Sequence, residues 1–193
     1  MSDRSWGAHV VRPNPAEVTR LGQAGVGIAH CPSSNMILSS GIAPTVDLRA
    51  AGCPVGIGCD GSSSADSASL WQEARLAMLQ GKLRSGAGAM AARDALEMAT
   101  IGGAGCLGRV GELGALVEGA PADVVLWRLT GPAFAGVVAD PIEGWLRSGP
   151  TSAWYTIVHG RPVVEQGALV SPRLEDMLRL HATVSRRFQG LTD

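Results

Sequence analysis

The chain has 193 residues, 46% of them apolar and 17% charged, and a net charge of −1. That balance suits one packed domain, or a core portion with a small accessory lobe, and excludes a disordered chain. The sixteen basic residues form no run longer than Arg186-Arg187, which excludes the electrostatic footprint of a nucleic-acid or membrane-surface binder.

Short apolar runs alternate with helical stretches over the first part of the chain, as βα units of a parallel sheet do. Trp6 to Val11 reads as a strand, and Asn14 to Gln23 as a helix opened by Pro13-Asn14-Pro15. Val26 to His30 is a second, buried strand, followed by a long loop from Cys31 to Gly41. A helix over Pro44 to Ala51 closes at Gly52, and Pro54 to Gly58 is a third buried strand leading into Cys59-Asp60-Gly61 and a serine-rich loop. Ser69 to Leu83 and Ala91 to Leu107 carry apolar residues at helical spacing, with Gly102, Gly103 and Gly105 weakening the end of the second helix.

The texture changes at Val110. Short strands are predicted at Gly114–Val117, Val124–Leu126, Tyr155–Val158 and Pro162–Val164, with His159-Gly160-Arg161 as a hairpin turn. A last amphipathic helix, Pro172 to Phe188, lines Leu174, Met177, Leu178, His181 and Val184 along one stripe. The expected division is therefore residues 1–109 as α/β portion and 110–193 as a small β lobe with a C-terminal helix. His159 and His181 read as turn and packing or surface residues, and the five tryptophans as packing residues.

Cys31, Cys53, Cys59 and Cys106 form no C-x-x-C pair and read as buried free thiols of a reducing compartment. No apolar run approaches the ~20 residues of a membrane span, and the opening residues lack the pattern of a signal peptide. A cytoplasmic protein without nucleic-acid or membrane partners is expected.

Chemistry concentrates at strand ends, where α/β folds assemble their sites. His9, His30 and Asp60 end three successive predicted strands, and all three can ligate a divalent metal or handle protons. A rival reading takes Gly56-Ile-Gly58-Cys-Asp-Gly61 as a dinucleotide fingerprint. Asp60 argues against it, because a carboxylate inside that cradle would repel the pyrophosphate. No acidic residue ends a strand about 20 residues on, as that site requires.

Three blocks together resemble the metal-dependent amidohydrolases of the deaminase and chlorohydrolase type. Ala8-His9 with Pro13 and Glu17 is similar to the family's sixth barrel strand. Ile28-Ala-His-Cys-Pro-Ser-Ser-Asn35, running on to Ser40-Gly-Ile-Ala-Pro44, resembles the seventh, and Gly56-Ile-Gly-Cys-Asp-Gly-Ser-Ser-Ser-Ala-Asp66 the eighth. Gly119 to Val125 and Val158 to Val164 look like the β lobe flanking such barrels.

The resemblance implies an α/β fold, namely a partial TIM-type (β/α) barrel of strands six to eight with a small β lobe and a C-terminal helix. It implies Asp60 as metal ligand and proton acceptor, and His9 as the histidine that holds the attacking water or the leaving group. His30, Asn35, Ser39 and Asp66 would shape the substrate pocket, with His30 orienting rather than ligating. The divalent metal would be zinc first and iron second, and the reaction hydrolytic C–N cleavage on a purine-like or triazine-like ring. Phe134 to Pro141 and Leu180 to Phe188 most resemble 8-oxoguanine deaminases.

The sequence also departs from the family. Its histidines are His9, His30, His159 and His181, so neither the first-strand His-x-His nor the fifth-strand His followed by Glu is present. Val10 and Arg12 stand where cysteine and histidine are common in relatives. These departures lead to the expectation of the C-terminal part of such an enzyme, with an incomplete metal site and no activity of its own. It would either self-associate or lack an N-terminal segment; the alternative is an inactive remnant or interaction module.

Overall fold

The computed structural model describes residues 2–191. Two compact units result: one runs to Ala120 and takes up Leu129–Thr151, and the other comprises Pro121–Arg128 and the chain from Ser152 onward. The division thus falls beyond residue 110, and a later segment returns to the first unit.

In the first unit, β1 (Trp6–Ala8), β2 (Gly27–His30) and β3 (Val55–Ile57) form a parallel sheet in the order β1-β2-β3. Trp6 pairs with Gly27, and Ile28 with Val55. The helix α1 (Pro15–Gln23) connects β1 to β2 and is started by a capping box. Asn14 Oδ1 accepts from the Glu17 amide at 3.0 Å while Glu17 accepts from the Asn14 amide at 2.8 Å. Between β2 and β3 lie α2 (Pro32–Ile37) and α3 (Thr45–Ala50). The long loop expected after His30 therefore begins with a helix, whose turn-like composition hid it from the sequence reading.

After β3 come α4 (Leu70–Ser85), α5 (Ala92–Glu97), a π-helical turn (Met98–Gly102) and α6 (Gly103–Cys106). Val18, Val26, Ile28, Leu48, Val55, Ala77, Met90 and Met98 make the core between sheet and helices. The expected single helix over 91–107 bulges where it meets the sheet. A Cβ on Gly102 would lie 2.1 Å from the Val55 carbonyl oxygen, and one on Gly56 2.8 Å from Gly103 Cα. The glycine of the fingerprint-like run at position 56 thus serves helix–strand contact.

No strand forms at Gly114–Val117; just before it Val110 and Leu113 make an isolated bridge. Gly111, Gly114 and Gly119 have φ of 84°, 81° and 85°, which interrupts extended pairing. The helix α7 (Pro141–Arg147), unforeseen from sequence, starts on Asp140, whose side chain accepts from the Ile142 and Glu143 amides. The α4 side chains hold it: Trp71 Nε1 donates to the Trp145 carbonyl at 3.0 Å, and Arg75 donates to the carbonyls of Leu146 and Arg147, each at 2.7 Å.

The second unit contains β4 (Val124–Trp127), β5 (Ala153–Val158), β6 (Arg161–Glu165) and β7 (Ala168–Leu169), antiparallel in that order. His159-Gly160 is the expected hairpin turn, with both residues at positive φ. Gln166-Gly167 makes a second such turn into β7, a strand too short to show in the sequence pattern. The helix α8 (Leu174–Phe188) has no buried residue, and Met177 and Leu178 of its stripe are both exposed. Among the described residues no helix is long and apolar enough to cross a membrane.

Candidate active site

Parallel strands deliver their C-terminal ends to one side of a sheet, and His9 and Asp60 arrive there from β1 and β3. His9 follows β1 directly with φ of 67°, and the Val10 amide donates across it to the Ala8 carbonyl at 2.8 Å. That is a γ-turn of the strained, positive-φ kind. Val10 (43°) and Asp60 (62°) also lie in the left-handed region, which costs a residue with a Cβ on the order of 1–3 kcal/mol. Strain at both strand ends turns two polar side chains toward each other: His9 Nε2 lies 3.6 Å from Asp60 Oδ2.

The short helix α2 braces both groups. Ser34 Oγ donates to Asp60 Oδ2 at 2.6 Å, and Asn35 Oδ1 pairs with His9 Nδ1 at 2.9 Å. Consecutive helix positions point about 100° apart, so neighbouring residues can serve different strand ends. The helix is itself fastened from α4. Buried Glu73 accepts the Ser33 amide at 2.9 Å, and Gln80 donates to the Pro32 carbonyl at 3.4 Å. Glu73 and Gln80 are seven residues apart, two turns along one face of α4.

The charge states follow from these contacts. The Ser34 hydroxyl, then the Gly61 amide, holds the Asp60 carboxyl below the usual carboxylate range. Burial, then the proximity of His9, lowers His30 to about 4. His30 is fully buried and neither ring nitrogen has a hydrogen-bond partner. Burial, followed by the nearby Asp60 charge, pushes the Cys31 thiol up to about 11, and burial raises Cys59 as well. Both remain thiols at neutral pH, poor nucleophiles and poor ligands.

His9, Asn35 and Asp60 are thus brought together, with His30 behind them at the end of β2. Ser39 sits exposed in the turn after α2 at φ 53°, and Asp66 is exposed in the loop after β3; neither joins the hydrogen-bonded group. Ser64 takes the place expected near Asp66, its hydroxyl 3.4 Å from Asp60 Oδ2. Sequence reading missed Ser34, Ser64 and Glu73. The Ser33-Ser34 pair before Asn35 was the available signal for the first.

Asp60 and His9 fit a divalent metal in part. An oxygen and a nitrogen able to ligate face each other at 3.6 Å, and the other ring nitrogen of His9 is engaged by Asn35, as orienting partners of metal-site histidines are. A catalytic zinc takes three protein ligands, and among the described residues no group of three His, Cys, Asp or Glu side chains is placed to hold one.

Residues 2–163 match the amidohydrolase family, and the chain belongs to that family of enzymes. It is 42% identical over 181 residues to an 8-oxoguanine deaminase of Pseudomonas aeruginosa, covering 94% of this chain and 40% of that protein. To a 5-methylthioadenosine/S-adenosylhomocysteine deaminase of Desulforudis audaxviator it is 38% identical, covering 93% and 42%. The fold superimposes on an atrazine chlorohydrolase of Arthrobacter aurescens TC1 complexed with zinc, with a TM-score of 0.85 at 36% identity, over 94% of this chain and 41% of that one. The α/β architecture is therefore that of the amidohydrolase enzymes, and the chain spans about two fifths of the length of the relatives it matches.

Proposed function

We propose that this chain forms the part of a metal-dependent aminohydrolase that carries its sixth to eighth barrel strands, β1 to β3, and that the enzyme deaminates a heterocyclic ring. The observation carrying the reading is the meeting of His9 Nε2 and Asp60 Oδ2 at 3.6 Å, each on strained backbone at a strand end. Family membership and deaminases among the relatives support the reaction class. Of the substrates those relatives are named for, 8-oxoguanine is placed first because the 42% identity runs over nearly the whole chain.

Deamination adds water to a ring carbon that bears an amino group. A C–O bond forms, the C–N bond breaks, and ammonia leaves with a proton taken from the water. A bound zinc supplies the Lewis acidity that makes water nucleophilic near neutral pH. Asp60 is the ligand this chain would offer it. With its carboxyl already ionised by Ser34 and Gly61, Asp60 is also free to accept the proton of the attacking water. His9 would hold the water or the departing amine through Nε2. His30, uncharged at neutral pH, adds no positive charge behind them.

The test is a chimera in which this chain replaces the matching portion of the Pseudomonas aeruginosa relative. It should release ammonia from 8-oxoguanine faster than from 5-methylthioadenosine or isoxanthopterin, and Asp60→Asn should abolish release while leaving the protein folded. A soluble, zinc-loaded chimera inert toward all three would overturn the aminohydrolase reading. A preference for another of the three would overturn only the choice of substrate.

A further inference from the structure

The geometry points to Asn35 as a positioning residue for His9: its carboxamide oxygen takes the Nδ1–H of the imidazole, fixes the neutral ring as that tautomer, and presents Nε2 as a lone pair to the space beside Asp60. The catalytic meaning of this arrangement rests on the role proposed for His9; the tautomer itself does not.

Three observations carry it. The first is the pairing of Asn35 Oδ1 with His9 Nδ1 at 2.9 Å, with Asn35 only 1% exposed. With the carboxamide oxygen toward the ring, the proton lies on Nδ1. The amide turned over would donate from Nδ2 and leave the ring proton on Nε2, and the ring-nitrogen spectrum distinguishes the two. The second is the distance on the other side of the ring. If Nε2 carried the proton and pointed it at the carboxylate, the pair would close to a charge-assisted hydrogen bond of ~2.7–2.9 Å. The observed 3.6 Å lies outside hydrogen-bonding range, so no Nε2–H bond to the carboxylate fixes the other tautomer. The third is rigidity. The His9 amide donates to the Ala29 carbonyl at 2.9 Å, the Asn35 amide to the Cys31 carbonyl at 3.0 Å, and the Ser40 amide to the Asn35 carbonyl at 2.9 Å. Both partners are thus held by their backbones.

Asn35 Nδ2 is buried without a hydrogen-bond partner. An unmatched buried donor is costly, and an apolar side chain of similar size would avoid it. The oxygen's bond to His9 gives the asparagine its purpose. An unconstrained neutral imidazole favours the proton on Nε2. Without Asn35 the ring would direct an N–H, not an acceptor, at the place where water or an amine must be held, and the sense of that hydrogen bond would reverse.

The experiment is ring-nitrogen NMR on the full chain labelled with ¹⁵N-histidine, at alkaline pH where imidazoles are neutral, with His9→Gln identifying the signals. The expected result is a pyrrole-type Nδ1 and a pyridine-type Nε2 for His9. Asn35→Asp should retain this pattern, and Asn35→Leu should move the proton to Nε2. A wild-type His9 protonated on Nε2 would overturn the proposal, and this spectrum decides even if Asn35→Leu fails to fold. A folded Asn35→Leu chain with an unchanged tautomer would overturn it as well. No turnover is needed, so a chain with the expected tautomer joined to an inert chimera would sink the aminohydrolase reading and leave this one standing.

Discussion

Glu73 accepts the backbone N–H of Ser33 at 2.9 Å across forty residues of sequence, and both groups are buried. The bond joins α4 to the start of α2, the helix whose next two residues hold Asp60 and His9. A carboxylate at a helix start is favourably placed, since the first amides have no partner within the helix.

Removing that carboxylate should loosen the whole bracket. Glu73→Ala leaves the Ser33 amide buried and unpaired, which costs about 1–3 kcal/mol, whereas Glu73→Gln keeps an accepting oxygen and should cost less. Urea unfolding of the three proteins measures this order. An alanine variant as stable as the parent would mean that α2 is held by other contacts.

The glycines where the π-helical turn and α6 meet β3 make a separate prediction. Gly102→Ala would put a Cβ 2.1 Å from the Val55 carbonyl oxygen, and Gly56→Ala would put one 2.8 Å from Gly103 Cα. Both contacts are with backbone, which cannot step aside, so each variant should lose about 1–3 kcal/mol. Gly88→Ala meets nothing within 4 Å and should stay within about 0.5 kcal/mol of the parent. Thermal or urea denaturation compares the three. Equal stability of Gly102→Ala and Gly88→Ala would show that the helix can shift away from the sheet.

The legible parts of the fold were those governed by local signals. The apolar runs starting at Trp6, Val26 and Pro54 located β1, β2 and β3, although the first was expected to reach Val11 and pairs only to Ala8, and Asn14 with Glu17 announced the start of α1. The helix α2 was not legible because Pro32-Ser33-Ser34-Asn35 has the composition of a turn and is held in helical form by Glu73 and Gln80 of α4. The strand expected at Gly114–Val117 failed for the opposite reason: its apolar residues fit the pattern, but flanking glycines at positive φ take the chain out of register. In the site, His9 and Asp60 could be singled out by residue type and strand-end position, whereas Asn35 came only from the resemblance to the amidohydrolases. The bond from Ser34 to Asp60 spans 26 residues and depends on where α2 sits, which no local pattern encodes.

The last prediction concerns acid stability and His30. Its folded-state value of about 4 lies below the value of 6.5 for an unburied imidazole, because burial, and then the nearby His9, disfavours the charged ring. Above pH 6.5 neither folded nor unfolded chain protonates it, and the residue adds no pH dependence. As pH falls from 6.5 toward 4, the unfolded chain binds a proton that the folded chain refuses, so stability is lost across that window and levels off below it. The gap corresponds to about 3 kcal/mol if the full shift applies. Other groups titrate in the same range, so the readout is a difference between two proteins. Urea unfolding at pH 7 and pH 4.5 should show the parent losing about 2 kcal/mol more than His30→Leu, a variant with nothing to protonate there. Equal losses in the two proteins would mean that His30 accepts a proton within the folded chain, and its two unpartnered ring nitrogens would then have to be reached by water or by an acidic neighbour.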